Sequence, residues 1–292
     1  MDILPVFCDI DDFCLLFEPR WHQRLLTAGE RQRRRSATLS LSEVMTIIIL
    51  FHTSVYRDFK TFFTQYVERH LSSAFPKLVS YNRFVELQRD ALIPLCAYIQ
   101  TRMGECRGIA FVDSTSLRVC HNQRIHSHRV FRGVAARGKT SVGWFFGFKL
   151  HLVINERGEL LGVRLTPGNT NDRRPVPALV KELSGELIGD KGYISGALIA
   201  LLCEQGLQLV TKIKSNMRQK FLPVFDKLLL RKRAIIETVV DQLKNISQVE
   251  HSRHRSVMNS VVNVVAGLIA YTFREKKPML NIEIKELALL TA

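Results

Sequence analysis

The sequence predicts an α/β fold in which a mixed sheet with flanking helices follows an all-α N-terminal region. Up to about residue 105 the apolar side chains recur at helical intervals, and beyond that point β-prone runs alternate with helical ones. The chain has 292 residues, of which 46% are hydrophobic, so it can build one large domain or two ordinary ones. We therefore expect a helical region at 1–105 and a sheet-containing domain at 106–292.

The N-terminal region is predicted to consist of short helices. Either Ser40 or Ser42 can cap the helix that continues as "EVMTIIILF", and the aromatic residues of "RDFKTFFTQYVERHL" (57–71) are spaced for another. Basic residues lie between these helices, among them the run "RQRRR" at 31–35. Short helices separated by basic residues are typical of DNA-binding bundles, so we expect 1–105 to contact DNA, with a helix-turn-helix as one form it could take.

The second region begins with three β-prone runs, which predict a three-stranded meander. They lie at 108–119, 143–155 and 160–168. Helices and strands then alternate. Helices are predicted at 175–185, 195–206, 228–244 and 256–273, and further strands at 186–193 and 207–213. The order β-β-β-α-β-α-β-α-α is that of a mixed sheet with helices packed on it.

The charge of the chain restricts its partners. Lys and Arg exceed Asp and Glu by 42 − 27 = 15, which points to nucleic acid or an anionic membrane surface. The apolar runs at 44–51 and 257–273 are too short or too polar to span a bilayer, and the acidic N-terminus lacks the basic start of a signal peptide. The six cysteines form no CxxC pair, as expected for reduced thiols in the cytoplasm. Nucleic acid is the favoured partner.

Two predicted strands end in an aspartate. Asp113 follows the apolar run of "GIAFVD", and Asp190 follows that of "ELIGD". If the two strands are neighbours, both carboxylates converge at the sheet edge where ligands bind in α/β proteins. Carboxylates that close together repel each other unless cations lie between them, and Mg²⁺ prefers such oxygen ligands. A pair of these ions would suit phosphoryl transfer.

The segment "LLLRKRAIIETVVDQLK" (228–244) is predicted to be one helix. Its charged residues, Arg233, Glu237, Asp241 and Lys244, are spaced to lie on one side of that helix. The stripe can be a solvated set of ion pairs, or Glu237 can supply a third carboxylate to the aspartate pair. Asp172, in "NTND", is a rival carboxylate that we interpret as a helix N-cap or as a residue supporting the metal ligands.

These motifs together resemble the DDE transposases of bacterial insertion sequences, over roughly residues 105–275. The first motif is "FVDST" and the second is "IGDKGY". The third, Tyr-x2-Arg-x3-Glu-x6-Lys, is matched by Arg233, Glu237 and Lys244, although Leu230 stands where the family has tyrosine. The runs "GFKLHLVIN" and "TPGNTND" are also similar to the family's second and third strands.

The resemblance implies a ribonuclease-H-like domain in which Asp113, Asp190 and Glu237 hold Mg²⁺, with Mn²⁺ as a substitute. It implies that Arg233 and Lys244 contact DNA close to the cleaved bond, and Lys191 of the second motif joins them as a DNA-binding residue. The expected substrate is double-stranded DNA, both the terminal inverted repeats of the element and the target. A homodimer on DNA, associated with a bacterial nucleoid, is also expected.

The segment between the first two predicted strands supports DNA binding independently. From Leu117 to Asn155 there is no Asp or Glu. The positively charged side chains of such a stretch repel one another unless they bind an anion such as the DNA backbone. Its glycines predict a mobile loop that becomes ordered on binding. The DNA-binding candidates here are Arg124, Arg129, Arg132, Arg137 and Lys139.

Three functions compete at this point. The first is a transposase that cleaves DNA at element ends and joins the freed 3′-hydroxyl to target DNA. The second is a nuclease of the same fold that cuts without joining. The third is a DNA-binding derivative without catalysis, which the presence of all three carboxylates disfavours.

Overall fold

The computed structural model describes residues 2–29, 38–212, 222–250 and 254–280. The basic run at 31–35 therefore lies outside the described residues. By compactness the described residues fall into two units. A helical unit takes those of 1–102, 243–249 and 253–273, and a sheet unit takes those of 103–242, 250 and 274–280. The helix near the C-terminus thus groups with the N-terminal helices, which differs from a simple division at residue 105.

The helical unit contains helices whose starts are capped by side chains. Ser40 caps α2 and forms a capping box with Glu43. The sequence left open whether Ser40 or Ser42 caps this helix, and the structure shows that it is Ser40. Ser256 caps the long apolar helix by accepting a hydrogen bond from the Asn259 amide. The helices are α1 (Ile3–Thr27), α2 (Leu41–Phe51), α3 (Phe59–Thr61), α4 (Glu68–His70), α5 (Tyr81–Asp90), α6 (Leu92–Thr101) and α11 (Val257–Thr272), with a π-helical segment, Phe62–Val67, between α3 and α4.

The sheet unit is built on six strands joined by short helices. The strands are β1 (Ile109–Cys120), β2 (Ala136–Thr140), β3 (Gly143–Asn155), β4 (Leu160–Pro167), β5 (Gly185–Gly189) and β6 (Leu207–Thr211). Their order is β2-β3-β1-β5-β6, and β4 pairs with β3. β1, β3 and β4 are antiparallel, while β5 and β6 run parallel to β1. The predicted meander and the mixed sheet are confirmed.

Alternation along β1 gives the sheet two different faces. Ala110 and Val112 point to one face, where they join a buried cluster with Leu187, Leu198 and Leu202. Phe111 points to the other face and is fully buried. The helices of this unit are α7 (Val176–Leu179), α8 (Gly196–Glu204), α9 (Val224–Lys232) and α10 (Ala234–Asn245), of which α10 passes into the helical unit at Leu243.

Three predicted elements were wrong in extent. The helix expected at 175–185 is only α7, because Val180 has already left the helical conformation and a turn leads into β5. The segment expected to be a mobile loop contains β2, where Gly138 is required because a Cβ would collide with the carbonyl oxygen of Gly168. The helix expected at 228–244 is divided at Arg233, where no Gly or Pro signals a break.

Candidate active site

Asp113 lies on β1, and Asp190 follows directly after the neighbouring parallel strand β5. Phe111 of β1 pairs with Ile188 of β5, so the same register places Asp113 level with Asp190. Adjacent strands lie about 4.8 Å apart, and level residues point to the same face. Asp113 lies within β1, opposite Leu152 of β3, and not past its end as expected. The expectation that the two strands are neighbours is confirmed.

Asp190 is held by the turn that follows β5. Its Oδ1 accepts a hydrogen bond of 2.7 Å from the Lys191 amide and caps the 3₁₀ turn Lys191–Tyr193. The residue is exposed, as is Lys191. Asp113 makes a similar bond, since its Oδ1 accepts from the Ser114 amide at 2.8 Å. Each carboxylate therefore has one oxygen oriented by the backbone amide of the residue that follows it.

Arg233 joins the sheet to α10. Its Nη1 lies 3.4 Å from Asp113 Oδ2, and its Nη2 donates to Glu237 Oε1 at 2.5 Å. The break between α9 and α10 puts Arg233 one turn before Glu237, so one guanidinium can reach both carboxylates. The Arg233 side chain is 21% exposed and that of Glu237 57%. The charged stripe on this helix is therefore more than a solvated set of ion pairs.

The charges around Asp113 act on its protonation. Burial raises the pKa of Asp113 above its usual value, and the Glu237 and Asp190 carboxylates raise it further. The Ser114 amide and the Arg233 guanidinium lower the pKa of this carboxyl. Asp113 is thus close enough to Glu237 and to Asp190 to be repelled by both, which is the arrangement that a cation would relieve.

The donor set suits a hard divalent cation, because all three candidates are carboxylates. In the part of the chain that the structure describes, however, no three acidic, histidine or cysteine side chains are close enough to enclose a metal ion. The Arg233 guanidinium contacts oxygens of two of the three carboxylates. The residues fit Mg²⁺ by chemistry, and binding it would require Arg233 to give up these contacts.

A second polar cluster lies on the opposite face of β1. Ser114 Oγ donates to Asp172 Oδ1 at 2.8 Å, and Lys149 Nζ donates to the same oxygen at 2.9 Å. Asp172 does not cap a helix, since α7 begins at Val176 and Asn171 caps the intervening turn. The N-cap interpretation of Asp172 was wrong, and its place directly behind Asp113 is that of a supporting residue.

His151 and Tyr193 complete this second cluster. His151 lies opposite Ser114 on β3, and its Nε2 is 2.8 Å from Thr166 Oγ1. Burial lowers the pKa of His151 to about 4, so the imidazole is neutral at pH 7. Burial, followed by the Asp113 and Asp172 carboxylates, raises the pKa of Tyr193, which stays protonated. The sequence analysis did not predict this cluster. Ser114 and Ser116 are two residues apart on one strand, and Lys149 and His151 are two residues apart on its partner. All four polar side chains therefore point to one face, and this spacing could have indicated the cluster.

The remaining candidates are spread over several elements. Lys244 lies seven residues after Glu237 on α10, within the part of that helix assigned to the helical unit. Leu230, at the position where the family has tyrosine, is 6% exposed on α9. The exposed basic residues of the segment that was expected to be a loop are Arg124, Arg129, Arg132, Arg137 and Lys139.

Comparison with known proteins identifies the family. The family described as "Transposase DDE domain" matches residues 103–257, more than half of the chain. The chain belongs to the DDE transposase family. All three candidate carboxylates of this DDE transposase fall within the matched residues, and the resemblance seen in the motifs is confirmed. No curated protein matches the chain.

Solved structures that match the chain at low sequence identity include transposase complexes. A synaptic complex of the piggyBac transposase with hairpin DNA is 13% identical, covers 89% of this chain and 73% of its own, and has a TM-score of 0.49. The Mos1 mariner paired-end complex with Mn is 11% identical, with coverages of 89% and 88% and a TM-score of 0.25. The family assignment rests on the match over 103–257. None of the helices among the described residues is long and apolar enough to cross a membrane.

Proposed function

We propose that this DDE transposase cleaves DNA at the ends of a bacterial insertion sequence and joins the freed 3′-hydroxyl to target DNA. The observation that carries the proposal is the level position of Asp113 and Asp190 on parallel strands, with Glu237 tied to Asp113 through Arg233. Glu237 and Asp190 both repel the partly buried Asp113 carboxylate, an arrangement that a bound cation would relieve. A two-ion phosphoryl transfer site uses that arrangement.

Asp113, Asp190 and Glu237 would hold Mg²⁺, for which Mn²⁺ would substitute. When bound, the ions supply an activated attacking oxygen and stabilisation of the leaving oxygen. Asp113 and Asp190 suit this role because the backbone amides of Ser114 and Lys191 fix their orientation. Arg233, released from the carboxylates, would bind the DNA phosphate next to the cleaved bond, where a guanidinium matches phosphate geometry.

The DNA would be held by basic residues outside the carboxylate cluster. Lys191 is exposed directly after Asp190, and Lys244 is expected to contact a phosphate near the cleaved bond. Arg124, Arg129, Arg132, Arg137 and Lys139 would bind backbone phosphates without reading sequence. We assign recognition of the element's terminal inverted repeats to the helical region at 1–105, and expect a homodimer to act on paired ends in the bacterial cytoplasm, at the nucleoid.

Single substitutions test the ligand set. Replacing Asp113, Asp190 or Glu237 with Ala should abolish Mg²⁺-dependent cleavage of an element end and leave DNA affinity largely intact, because affinity is spread over many basic residues. Asp241→Ala is the matched control, since it removes an exposed carboxylate from the same helix one turn after Glu237. Cleavage at the wild-type rate by any of the three variants would remove that residue from the site.

Joining is tested separately from cutting. A pre-cleaved end with a free 3′-hydroxyl is incubated with a supercoiled plasmid, and joined products are counted by gel. We expect joined products with the wild-type chain and none with Glu237→Ala. A wild-type chain that cuts but never joins would be a nuclease, and a chain that binds DNA but does neither would be a non-catalytic derivative.

A further inference from the structure

The hairpin of β2 and β3 exposes a large aromatic side chain. Trp144 is 51% exposed, whereas Phe146 and Phe148, on the same face of β3, are 8% and 7% exposed. His128 and Phe131 cover these two rings, with ring centroids 6.4 Å apart for His128–Phe146 and 5.6 Å for Phe131–Phe148. The fold therefore buries two aromatic rings of this row and leaves the third exposed to solvent. Because large aromatic side chains are usually mostly buried, the exposure of Trp144 calls for an explanation.

Two cations lie against the exposed indole. Lys139 pairs with Trp144 across the hairpin, and Arg137 pairs with Phe146 on the same face. Arg137 Cζ is 4.8 Å from the centroid of the Trp144 ring, and Lys139 Nζ is 5.7 Å from it. Both distances are within the range of cation–π attraction, so two exposed positive charges lie beside the ring.

The indole is carried on a fixed part of the backbone. Asn122 Nδ2 donates to the carbonyl oxygen of Trp144 at 2.8 Å. On β2, Gly138 packs so closely against Gly168 that no side chain would fit. β3 continues from Trp144 directly into the buried centre of the sheet. Trp144 thus sits on a platform whose position does not depend on the ligand.

The surroundings of Trp144 select a polyanion. The sequence has no Asp or Glu from Leu117 to Asn155. Exposed Arg124, Arg129 and Arg132 lie in the segment that leads to the hairpin, and none of them forms an ion pair with a carboxylate of the described residues. Phosphates of a nucleic acid strand are the ligand that matches this charge.

We infer that Trp144 stacks on an unpaired base of DNA, while Arg137 and Lys139 bind the phosphates on either side of that base. The inference rests on the proposed function for its choice of DNA. An exposed indole beside cations is the combination by which proteins hold single strands, since every base has a π-face and every linkage a phosphate. In a duplex both faces of each base are covered by neighbouring bases. The platform therefore takes a strand that cleavage or distortion has opened.

The two tryptophans of the chain provide a direct probe. Trp21→Phe leaves Trp144 as the single tryptophan, because the sequence contains only these two. A base stacked on an indole quenches its fluorescence. Titrating this variant with an oligothymidylate should quench the emission, and a blunt duplex of equal length should leave it nearly unchanged. The reverse variant, Trp144→Phe, retains only Trp21 and should lose the quenching by the oligothymidylate.

Affinities give the second readout. Trp144→Ala should weaken binding of the oligothymidylate about tenfold and leave duplex binding unchanged, while Trp144→Phe should retain most of the single-strand affinity. Val142→Ala, which removes an 84% exposed apolar side chain at the tip of the same hairpin, is the matched control and should change neither affinity. Arg132→Ala should weaken single-strand and duplex binding alike.

Three outcomes overturn the inference. They are emission of the Trp21→Phe variant that oligothymidylate does not quench, equal losses of single-strand and duplex affinity in Trp144→Ala, and unchanged affinities in that variant, as expected if a protein partner covers the indole. Each of these leaves the proposed function standing as long as the wild-type chain binds duplex DNA. A wild-type chain that binds no DNA at all would overturn both.

Discussion

The two faces of β1 carry polar groups of opposite character. On one face Asp113 shares the Arg233 guanidinium with Glu237, and burial, together with the neighbouring carboxylates, raises the pKa of Asp113. On the other face Asp172 accepts hydrogen bonds from both Ser114 and Lys149. The first face holds carboxylates that repel Asp113, and the second holds an aspartate that is hydrogen-bonded to Ser114 and Lys149. Residues next to each other in sequence thus belong to the candidate active site and to the cluster behind it.

The largest difference is expected when the central carboxylate of each face is removed. Asp113→Ala should lower the rate of cleavage on the order of a thousandfold, because it removes a group acting on the reacting phosphate. Asp172→Ala should keep a substantial rate but lose about 1–3 kcal/mol of unfolding free energy, because Lys149 and Ser114 both lose a charged acceptor. Cleavage assays in Mg²⁺ and urea unfolding measure the two. An Asp172→Ala variant as inactive as Asp113→Ala would make Asp172 a ligand.

Acid should weaken the supporting face through His151. Its pKa is lowered from 6.5 to about 4, so between these values the unfolded chain binds a proton that the folded chain does not. Stability therefore falls as pH falls through this window, by about 3 kcal/mol for this group. His151→Gln cannot titrate there, and should lose less unfolding free energy between pH 7 and pH 4 than the wild type. Equal losses would show that His151 is protonated in the folded chain.

Substitutions of Lys244 test whether the surface that contacts DNA extends from Glu237 along α10. If Lys244 positions a phosphate, Lys244→Ala should lower the single-turnover rate on a pre-cut end by about a hundredfold at saturating DNA, with metal binding and DNA affinity nearly unchanged. Lys244→Arg should keep part of the rate, since the charge survives with altered geometry. If the lysine only stabilises the helix, the cost is a few tenths of a kcal/mol and the rate of the Ala variant stays at the wild-type value.

The smallest expected effect concerns Arg233 and the divalent ion. Because Arg233 occupies two of the three carboxylates, Arg233→Gln should raise the affinity of the DNA-free chain for Mn²⁺ by about tenfold. Electron paramagnetic resonance of free Mn²⁺ measures this without any turnover. Asp172→Asn, on the opposite face, is the control and should leave the affinity near the wild-type value. A lower affinity in Arg233→Gln would mean that the guanidinium organises the ligands and does not compete with the metal.

Most of the helices and strands could be predicted from the local sequence. Strands β1, β3 and β4 were readable from apolar, β-branched and aromatic runs, and α11 from its unbroken apolar composition, because each element is favoured by its own residues. β2 was missed because "ARGKT" carries three polar or charged residues and is a strand only by pairing with β3. The break at Arg233 was missed for a related reason, since neither Gly nor Pro interrupts the helical pattern there.

The sequence by itself determined which residue types the site can use and the family to which the chain belongs, since motif order and spacing are properties of the chain alone. The tertiary structure alone decided that Asp113 and Asp190 are level, because register depends on hydrogen bonds between strands far apart in sequence. It also decided that Asp172 supports β1 from behind and that Arg233 reaches Asp113 as well as Glu237. Such contacts depend on which faces of two different elements are packed together. The spacing of residues along one strand or helix does not specify which element lies opposite that face.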